Sequence, residues 1–217
     1  MANLPPATFV IESEDFIIRP MLPGDASEKL GPWIEDENSA AMLNTHRRNW
    51  DIAQQAELFS RHEAEPRRRI LGIFPKRAKD PIGLFIVKVT PKHGVFLLSH
   101  LIGDKDWRGK DTTFQTSEAV YDYFFNTLGY AKAKANVRPE NKPMLWLIYT
   151  YVWRKEAHLI KHLRLADSGK RSDLLTFAIL AEEWRNRADK FRSKPRNGEA
   201  AASGAAVGAA ANAAGSR

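Results

Sequence analysis

Three apolar runs in the middle of the chain most constrain its fold. They cover residues 69–74, 82–89 and 95–102, and each is short and rich in β-branched or aromatic side chains, as buried strands are. The last two runs are joined by residues 90–94 (TPKHG), a turn sequence typical of an antiparallel hairpin. These three strands therefore predict the centre of a β-sheet.

The segments around these strands alternate between helical and strand patterns. A helix is expected directly after the third run, because Thr112 and Gln115 fit a capping box and Gly129 stands where a C-terminal glycine belongs. Asn141 is expected to cap a later helix. By the same criteria, strands are expected at residues 16–20, 132–137, 157–165 and 174–180, and helices at residues 28–36, 52–63 and 113–128. The alternation predicts an α/β fold.

The C-terminal segment differs in composition from the rest of the chain. From residue 197 onward it is mostly alanine, glycine and serine, and Val207 is its only large apolar residue. Such a segment cannot offset its ordering entropy by burial. We therefore expect one domain over residues 9–191, followed by a basic and then Ala/Gly-rich disordered tail over residues 192–217.

The positive charge of the protein is concentrated near this tail. Of the formal net charge of +7, six cations and one carboxylate between residues 185 and 196 supply +5. Runs this short are usually solvated surface, and a weak contact with RNA or the ribosome is the alternative interpretation. The cations are Arg185, Arg187, Lys190, Arg192, Lys194 and Arg196.

Composition also excludes or disfavours several functional classes. Cysteine is absent, which excludes disulfide bonds, zinc–thiolate sites and a thiol nucleophile. The longest bulky apolar run, residues 144–153, is about half the ~20 residues needed to cross a bilayer, and the N-terminal residues lack a signal-peptide pattern. No membrane contact is therefore expected, and the default location is the cytoplasm.

His158 and His162 would lie ~13 Å apart on a strand, so no metal site is expected.

The junction between the third apolar run and the helix after it, residues 103–113, carries glycine, cations and hydroxyl donors. A helix that follows directly on a buried strand presents free backbone N–H groups and the positive end of its dipole, which together bind phosphate. Ordinary turn chemistry accounts for the same residue types. Phosphate binding and a plain turn therefore both stay open at this point.

Several short segments stand in the order and spacing of a known family. They are FIIRP at 16–20, GDA at 24–26, PIG at 81–83, WRGK at 107–110, Asn141, and Asp173 followed by FAIL at 177–180 and EW at 183–184. Together they resemble the GNAT superfamily of N-acetyltransferases, in the branch that contains the ribosomal-protein N-terminal acetyltransferases and the amino-sugar acetyltransferases. The similarity covers nearly the whole domain.

The resemblance implies a mixed, mostly antiparallel sheet of about seven strands with about four flanking helices, and a V-shaped splay between the fourth and fifth strands. It also implies acetyl-CoA as the co-substrate. The implied contacts are Leu101, Ile102 and Gly103 for the pantetheine arm, Arg108, Gly109, Lys110, Asp111, Thr112 and Thr113 for the pyrophosphate, and Asn141 at the place of an asparagine that commonly touches coenzyme A.

The sequence departs from the family at the loop and at the catalytic positions. Asp111 and Thr113 stand where the family has glycine or alanine, and Asp111 adds a negative charge beside the pyrophosphate. The family's catalytic glutamate and tyrosine do not carry over residue by residue. The nearest substitutes are His100 as a base acting through water, and Tyr149 or Tyr151 as the acid that protonates the thiolate. The alternative interpretation is a hydrogen-bonded histidine at a strand end for His100 and core packing for the two tyrosines.

The expected function is acetyl-CoA-dependent N-acetylation of a primary amine by direct transfer. The amine is a peptide N-terminus, an amino sugar or a small amine, and the sequence does not choose among them. The alternative is a catalytically impaired module of the same fold that binds acyl-CoA or has a regulatory role. Trp33 and Trp50 are candidate walls of the acceptor pocket, and ordinary core or surface tryptophans are the alternative. A monomer or homodimer is expected.

Overall fold

The three central runs are neighbouring strands of one sheet in the computed structural model, which describes residues 4–5, 7–36, 39, 50–108, 111–166 and 168–192. The strands are β1 (Ile11–Glu12), β2 (Phe16–Pro20), β3 (Arg68–Pro75), β4 (Gly83–Thr90), β5 (Val95–Ile102), β6 (Lys132–Val137), β7 (Arg154–Arg164) and β8 (Arg171–Leu180). Their order is β1-β2-β3-β4-β5-β6-β8-β7, and every neighbouring pair is antiparallel except the parallel pair β5 and β6. This mixed sheet confirms the expected α/β class.

The described helices are α1 (Gly31–Glu35), α2 (Ile52–Ala64), α3 (Thr112–Asp122), α4 (Lys142–Thr150) and α5 (Ala181–Arg192). The sequence predicted α2 and the four strands from β3 to β6 to within one residue at each end. The sequence did not predict β1, which has only two residues and is too short to produce a recognisable pattern.

The capping box predicted at the start of α3 is wrong. Asp111 is the N-cap residue, and Thr112 already lies inside the helix. The side chain of Gln115 donates instead from Nε2 to Oδ2 of Asp15, at 2.9 Å, which joins α3 to the segment before β2. The pattern therefore marked the right region but the wrong residue.

Aromatic packing on one face of the sheet surrounds the end of α3. The helix was expected to continue to residue 128, but a π-helical turn, Tyr123–Thr127, follows Asp122. This turn places two consecutive buried rings, Phe124 and Phe125, against Phe96 of β5, with ring centroids 4.7 and 5.1 Å away. Gly129 then adopts a φ of 71°, the left-handed conformation expected of a glycine after a helix.

The opposite face of the sheet carries α1, α2 and a second apolar cluster. Trp33 and Trp50, predicted as candidate pocket walls, are both buried in this cluster. Pro32 lies in the first turn of α1, which is shorter than the expected helix at residues 28–36. The buried members of the cluster are Met21, Leu30, Trp33, Trp50, Phe59, Ile70, Phe74 and Leu84.

The sheet splays between β5 and β6. In the described chain the two strands pair only from Val95 to Leu97 on β5 and from Lys132 to Lys134 on β6. Beyond that point β5 continues to Ile102 and β6 to Val137, and β6 remains paired with β8 along its whole length. We call the gap between residues 98–102 and residues 135–137 the wedge. The wedge is the splay expected between the fourth and fifth strands. These strands are β5 and β6 here because the short strand β1 precedes the expected first strand.

The chain divides into two units, Met1–Glu182, which contains the whole sheet, and Glu183–Arg217. Of the second unit, the structure describes the helical residues up to Arg192. The tail and the end of the basic segment, residues 193–217, lie outside the described residues. Both the domain boundaries and the RNA or ribosome contact therefore stay predictions. None of the helices in the described ranges is long and apolar enough to cross a membrane.

Candidate functional site

Backbone groups of β5 line one side of the wedge. The N–H of Gly103 donates to the C=O of Ile82 at 3.0 Å, so Gly83 and Ile102 form a non-hydrogen-bonded pair of the β4–β5 ladder. The N–H and C=O of Ile102 therefore point away from β4, and the alternation along the strand turns those of His100 the same way. The wedge thus presents backbone donors and acceptors as the edge of a sheet does.

The three strand-end residues implied for the pantetheine arm face different directions. Ile102 faces the wedge. Leu101 is paired with Leu84 of β4, and its side chain packs on the cluster beneath α1 and α2. Gly103 uses its own N–H to hold the end of β4. Of the three, Ile102 is therefore the residue whose backbone faces the gap.

Gly103 is held in place by close packing against Trp33. A Cβ atom at this glycine would collide with the indole atoms Cγ, Cδ2 and Cε2 of Trp33. The indole of α1 therefore rests directly on the backbone at the end of β5. This contact fixes the point at which the strand turns toward α3.

The guanidinium of Arg108 binds the last carbonyls of β5. Its Nε donates to the C=O of Ile102 at 2.9 Å, and its Nη2 donates to the C=O of Gly103 at 3.1 Å and to Oγ of Ser39 at 3.3 Å. The family resemblance implied Arg108 as part of the pyrophosphate loop. The structure shows its side chain holding the strand end.

The first turn of α3 forms a cradle of backbone N–H groups. The first intrahelical hydrogen bond is donated by Gln115 to the C=O of Asp111, so the N–H groups of Thr112, Thr113 and Phe114 precede it. The carboxylate of Asp111 makes no cap hydrogen bond to them. Gly109 and Lys110, implied as part of the same loop, lie outside the described residues. The described geometry is that of an anion-binding helix start.

His100 lies on β5 with its imidazole on the α3 face of the sheet. The ring stacks on Phe85 of β4, with centroids 4.4 Å apart and an interplanar angle of 11°. Burial lowers the pKa of His100 to about 4, and its Nε2 is buried without a hydrogen-bond partner among the described residues. The side chain is therefore neutral at pH 7 and weakly basic.

Solved structures share this arrangement of sheet and helices. A GCN5-related N-acetyltransferase from Brucella melitensis matches with a TM-score of 0.73 and 15% identity, over 88% of each chain. A spermidine N-acetyltransferase from Vibrio cholerae, in complex with CoA and spermine, matches with a TM-score of 0.69 and 19% identity, over 79% of this chain and 99% of its own. The Mycobacterium smegmatis protein RimJ, in complex with CoA-disulfide, matches with a TM-score of 0.70 and 17% identity, over 85% of this chain and 93% of its own.

The protein has the GNAT fold. No family model matches its sequence, and no curated protein is significantly similar to it. The assignment of the fold therefore rests on similarity in structure and not on similarity in sequence.

In this GNAT fold, Tyr149 of α4 and Tyr151, the residue that follows the helix, lie in different environments. Tyr149 is 58% exposed, and its ring contacts Phe177 of β8 edge-on. Tyr151 is buried against Phe114 of α3, and its hydroxyl donates to Oε1 of Glu118 at 3.5 Å. Burial and the charge of Glu118 raise the pKa of Tyr151 above its ordinary range. The catalytic roles of His100 and Tyr149 stay predictions.

Asn141 caps α4 as the sequence predicted. Its Oδ1 accepts a hydrogen bond from the N–H of Met144 at 3.2 Å. The cap occupies the amide oxygen, so the NH2 group is the part of the side chain that can donate to a ligand. A contact between Asn141 and coenzyme A stays a prediction.

Sequence reasoning missed a polar cluster beside the strand end. Asp36 accepts hydrogen bonds from the N–H and Oγ of Ser39, and Lys105 lies 3.4 Å from its carboxylate. These partners lower the pKa of Asp36, with the Ser39 hydroxyl as the largest cause. Ser39 in turn accepts from Arg108. No motif joins the two halves of the cluster, because residues 36–39 and residues 105–108 are distant in the chain. The described residues contain no group of three or more His, Asp or Glu side chains able to hold a metal ion.

Proposed function

We propose that this protein is an N-acetyltransferase that transfers the acetyl group of acetyl-CoA directly to a primary amine. The observation that carries the proposal is the wedge, where backbone groups of β5 face a gap that ends beside the amide cradle of α3. Two neighbours of the same fold support the choice of ligand, since one was solved with CoA and spermine and the other with CoA-disulfide.

The wedge and the cradle suit different parts of acetyl-CoA. The pantetheine arm carries amide groups, which can pair with the backbone of His100 and the N–H of Ile102 as an added strand would. The C=O of Ile102 already accepts from Arg108. The pyrophosphate suits the N–H groups of Thr112, Thr113 and Phe114 and the positive end of the α3 dipole. Asp111 lies at the start of this helix without capping it. Its carboxylate therefore does not occupy the cradle amides, although its negative charge opposes a phosphate bound beside it.

Direct transfer needs a neutral amine and a donor for the oxyanion. The amine nitrogen attacks the thioester carbonyl, and the C–S bond breaks with release of CoA as a thiolate. The proton that the amine loses passes through a base or water, and the thiolate is protonated to the free thiol. A backbone N–H of the wedge is placed to stabilise negative charge on the carbonyl oxygen. Peptide N-termini, amino sugars and small amines such as polyamines all fit this chemistry. The His100 side chain is a weak candidate base, because its imidazole is buried on Phe85.

Acetyl-CoA is expected to stabilise the protein and to release thiol when a suitable amine is present. At 100 times its Kd it should add about 2.7 kcal/mol to the free energy of unfolding and raise Tm by about 5 to 10 °C. Differential scanning fluorimetry measures the first effect, and a thiol-release assay across a panel of amines measures the second. S-acetyl-pantetheine, which lacks the diphosphate, is the matched control and should bind more weakly.

The outcomes separate the two candidate functions. Stabilisation together with amine-dependent thiol release supports the enzyme. Stabilisation without release from any amine of the panel would favour the acyl-CoA-binding or regulatory module instead. The absence of any shift at millimolar acetyl-CoA would contradict both.

Substitution of Arg108 tests whether its guanidinium holds the strand or the ligand. Because its Nε and Nη2 are directed at the carbonyls of Ile102 and Gly103, Arg108→Gln should change the Kd for acetyl-CoA by less than about threefold, whereas a lost charged contact to phosphate would cost about tenfold or more. Arg108→Ala should lower the free energy of unfolding by about 1 kcal/mol. Calorimetric titration and urea unfolding measure the two effects. Losses of affinity of about tenfold or more in both variants, without a loss of stability in urea, would show that the guanidinium binds phosphate rather than the strand end.

A further inference from the structure

An exposed tryptophan lies beside the amide cradle. Trp146 of α4 is 60% exposed, although it is one of the largest apolar side chains. Its ring centroid lies 5.3 Å from that of Phe114, at an interplanar angle of 80°. Phe114 belongs to the first turn of α3, and helical side chains lean toward the N-terminus of their helix. The indole therefore stands at the mouth of the cradle, largely open to water.

A cation accompanies the indole. Lys142 is exposed and lies four residues before Trp146 on α4, so both side chains project from the same face of the helix. An open aromatic face next to a lysine suits a nucleotide, because every base stacks on aromatic rings and a lysine attracts a phosphate.

We propose that Trp146 is the stacking platform for the adenine of acetyl-CoA and that Lys142 binds its ribose 3′-phosphate. The inference rests on the proposed function, because the pyrophosphate must lie on the cradle. The adenosine of CoA is joined directly to that pyrophosphate, so its base lies next to the cradle, where the indole is exposed. Neither residue touches the reacting atoms. Both act on the affinity and selectivity for the nucleotide half of the co-substrate.

Truncated ligands and matched variants test the proposal. Loss of base stacking corresponds to about a five- to 150-fold loss of affinity. Trp146→Ala should raise the Kd for acetyl-CoA about tenfold, and Trp146→Phe should restore part of the loss. Neither variant should change the KM for S-acetyl-pantetheine, which has no adenine. Lys142→Met should raise the Kd for acetyl-CoA but leave the Kd for acetyl-3′-dephospho-CoA unchanged.

Fluorescence gives a readout that is independent of activity. CoA should quench the tryptophan emission of the wild type, and Trp146→Phe should remove most of that quenching. Ile160→Ala is the control, because Ile160 is 66% exposed on β7 and should leave all constants unchanged. Equal losses for acetyl-CoA and S-acetyl-pantetheine in Trp146→Ala would overturn the proposal, as would an unchanged Kd. A wild type that binds neither ligand would contradict the proposed function itself.

Discussion

Gly103→Ala is expected to lower the free energy of unfolding by about 2 to 3 kcal/mol and to weaken acetyl-CoA binding by more than tenfold. The added Cβ collides with three atoms of the buried Trp33 indole, which cannot move without disturbing the α1 cluster. The strand end must shift instead, and it carries the backbone groups that face the wedge. Urea unfolding and calorimetric titration measure the two effects.

A second glycine and a double variant control this experiment. Gly24→Ala should be nearly neutral, because a Cβ at Gly24 has no atom within 4 Å and its φ is not positive. If the collision is the cause, Gly103→Ala should cost much less in a Trp33→Leu background than in the wild type. An equal cost in both backgrounds would show that the strain at Gly103 has another origin.

Acidification from pH 6.5 to pH 4 is expected to lower the free energy of unfolding by roughly 2 to 5 kcal/mol, because His62 and His100 resist protonation in the folded protein. The pKa of His100 is lowered to about 4 by burial, and that of His62 to about 4 by burial and by the neighbouring Arg68 and Arg61. In the unfolded chain both titrate near pH 6.5. Protons therefore bind the unfolded state first, so the stability present above pH 6.5 is lost as pH falls and levels off below pH 4.

The pH range separates this effect from that of the carboxylates. Asp25, Asp36 and Asp173 have lowered pKa values, so their contribution is lost only below the ordinary carboxylate range, near pH 3.8. A double variant, His62→Leu with His100→Phe, should flatten the slope of stability between pH 4 and 6.5 in urea unfolding. His93→Gln, in an exposed turn, is the control. An unchanged slope in the double variant would mean that other groups take up the protons.

Local patterns predicted the elements whose ends are set by local chemistry. Asn141 caps α4 because its side chain reaches an N–H three residues ahead, and this needs no knowledge of the rest of the fold. The prediction failed at the start of α3, where Gln115 bonds Asp15 rather than closing a box with Thr112. A partner that is distant in the chain decided that helix start, and no local pattern contains it.

The site was predicted by region better than by residue. Alternation along β5 could have shown that His100 shares a face with Phe96, since both occupy even positions of the strand. It could not show which backbone groups face the wedge, because that depends on the β4–β5 register. The contacts of Arg108 and Trp33 also join segments far apart in sequence. The sequence therefore predicted the region of the site, from the end of β5 to the start of α3, better than the contacts of single side chains such as Arg108.

The surface that we assign to acetyl-CoA consists mostly of peptide groups, with Ile102 and the first amides of α3 as examples. Any amino acid except proline supplies such a group, so natural variation can replace the side chains around it while the geometry persists. Solved chains with this fold accordingly share only 12–19% of their residues with this one. A binding site built from main-chain groups is therefore hard to recognise by sequence similarity, and comparison of backbone structures detects it instead.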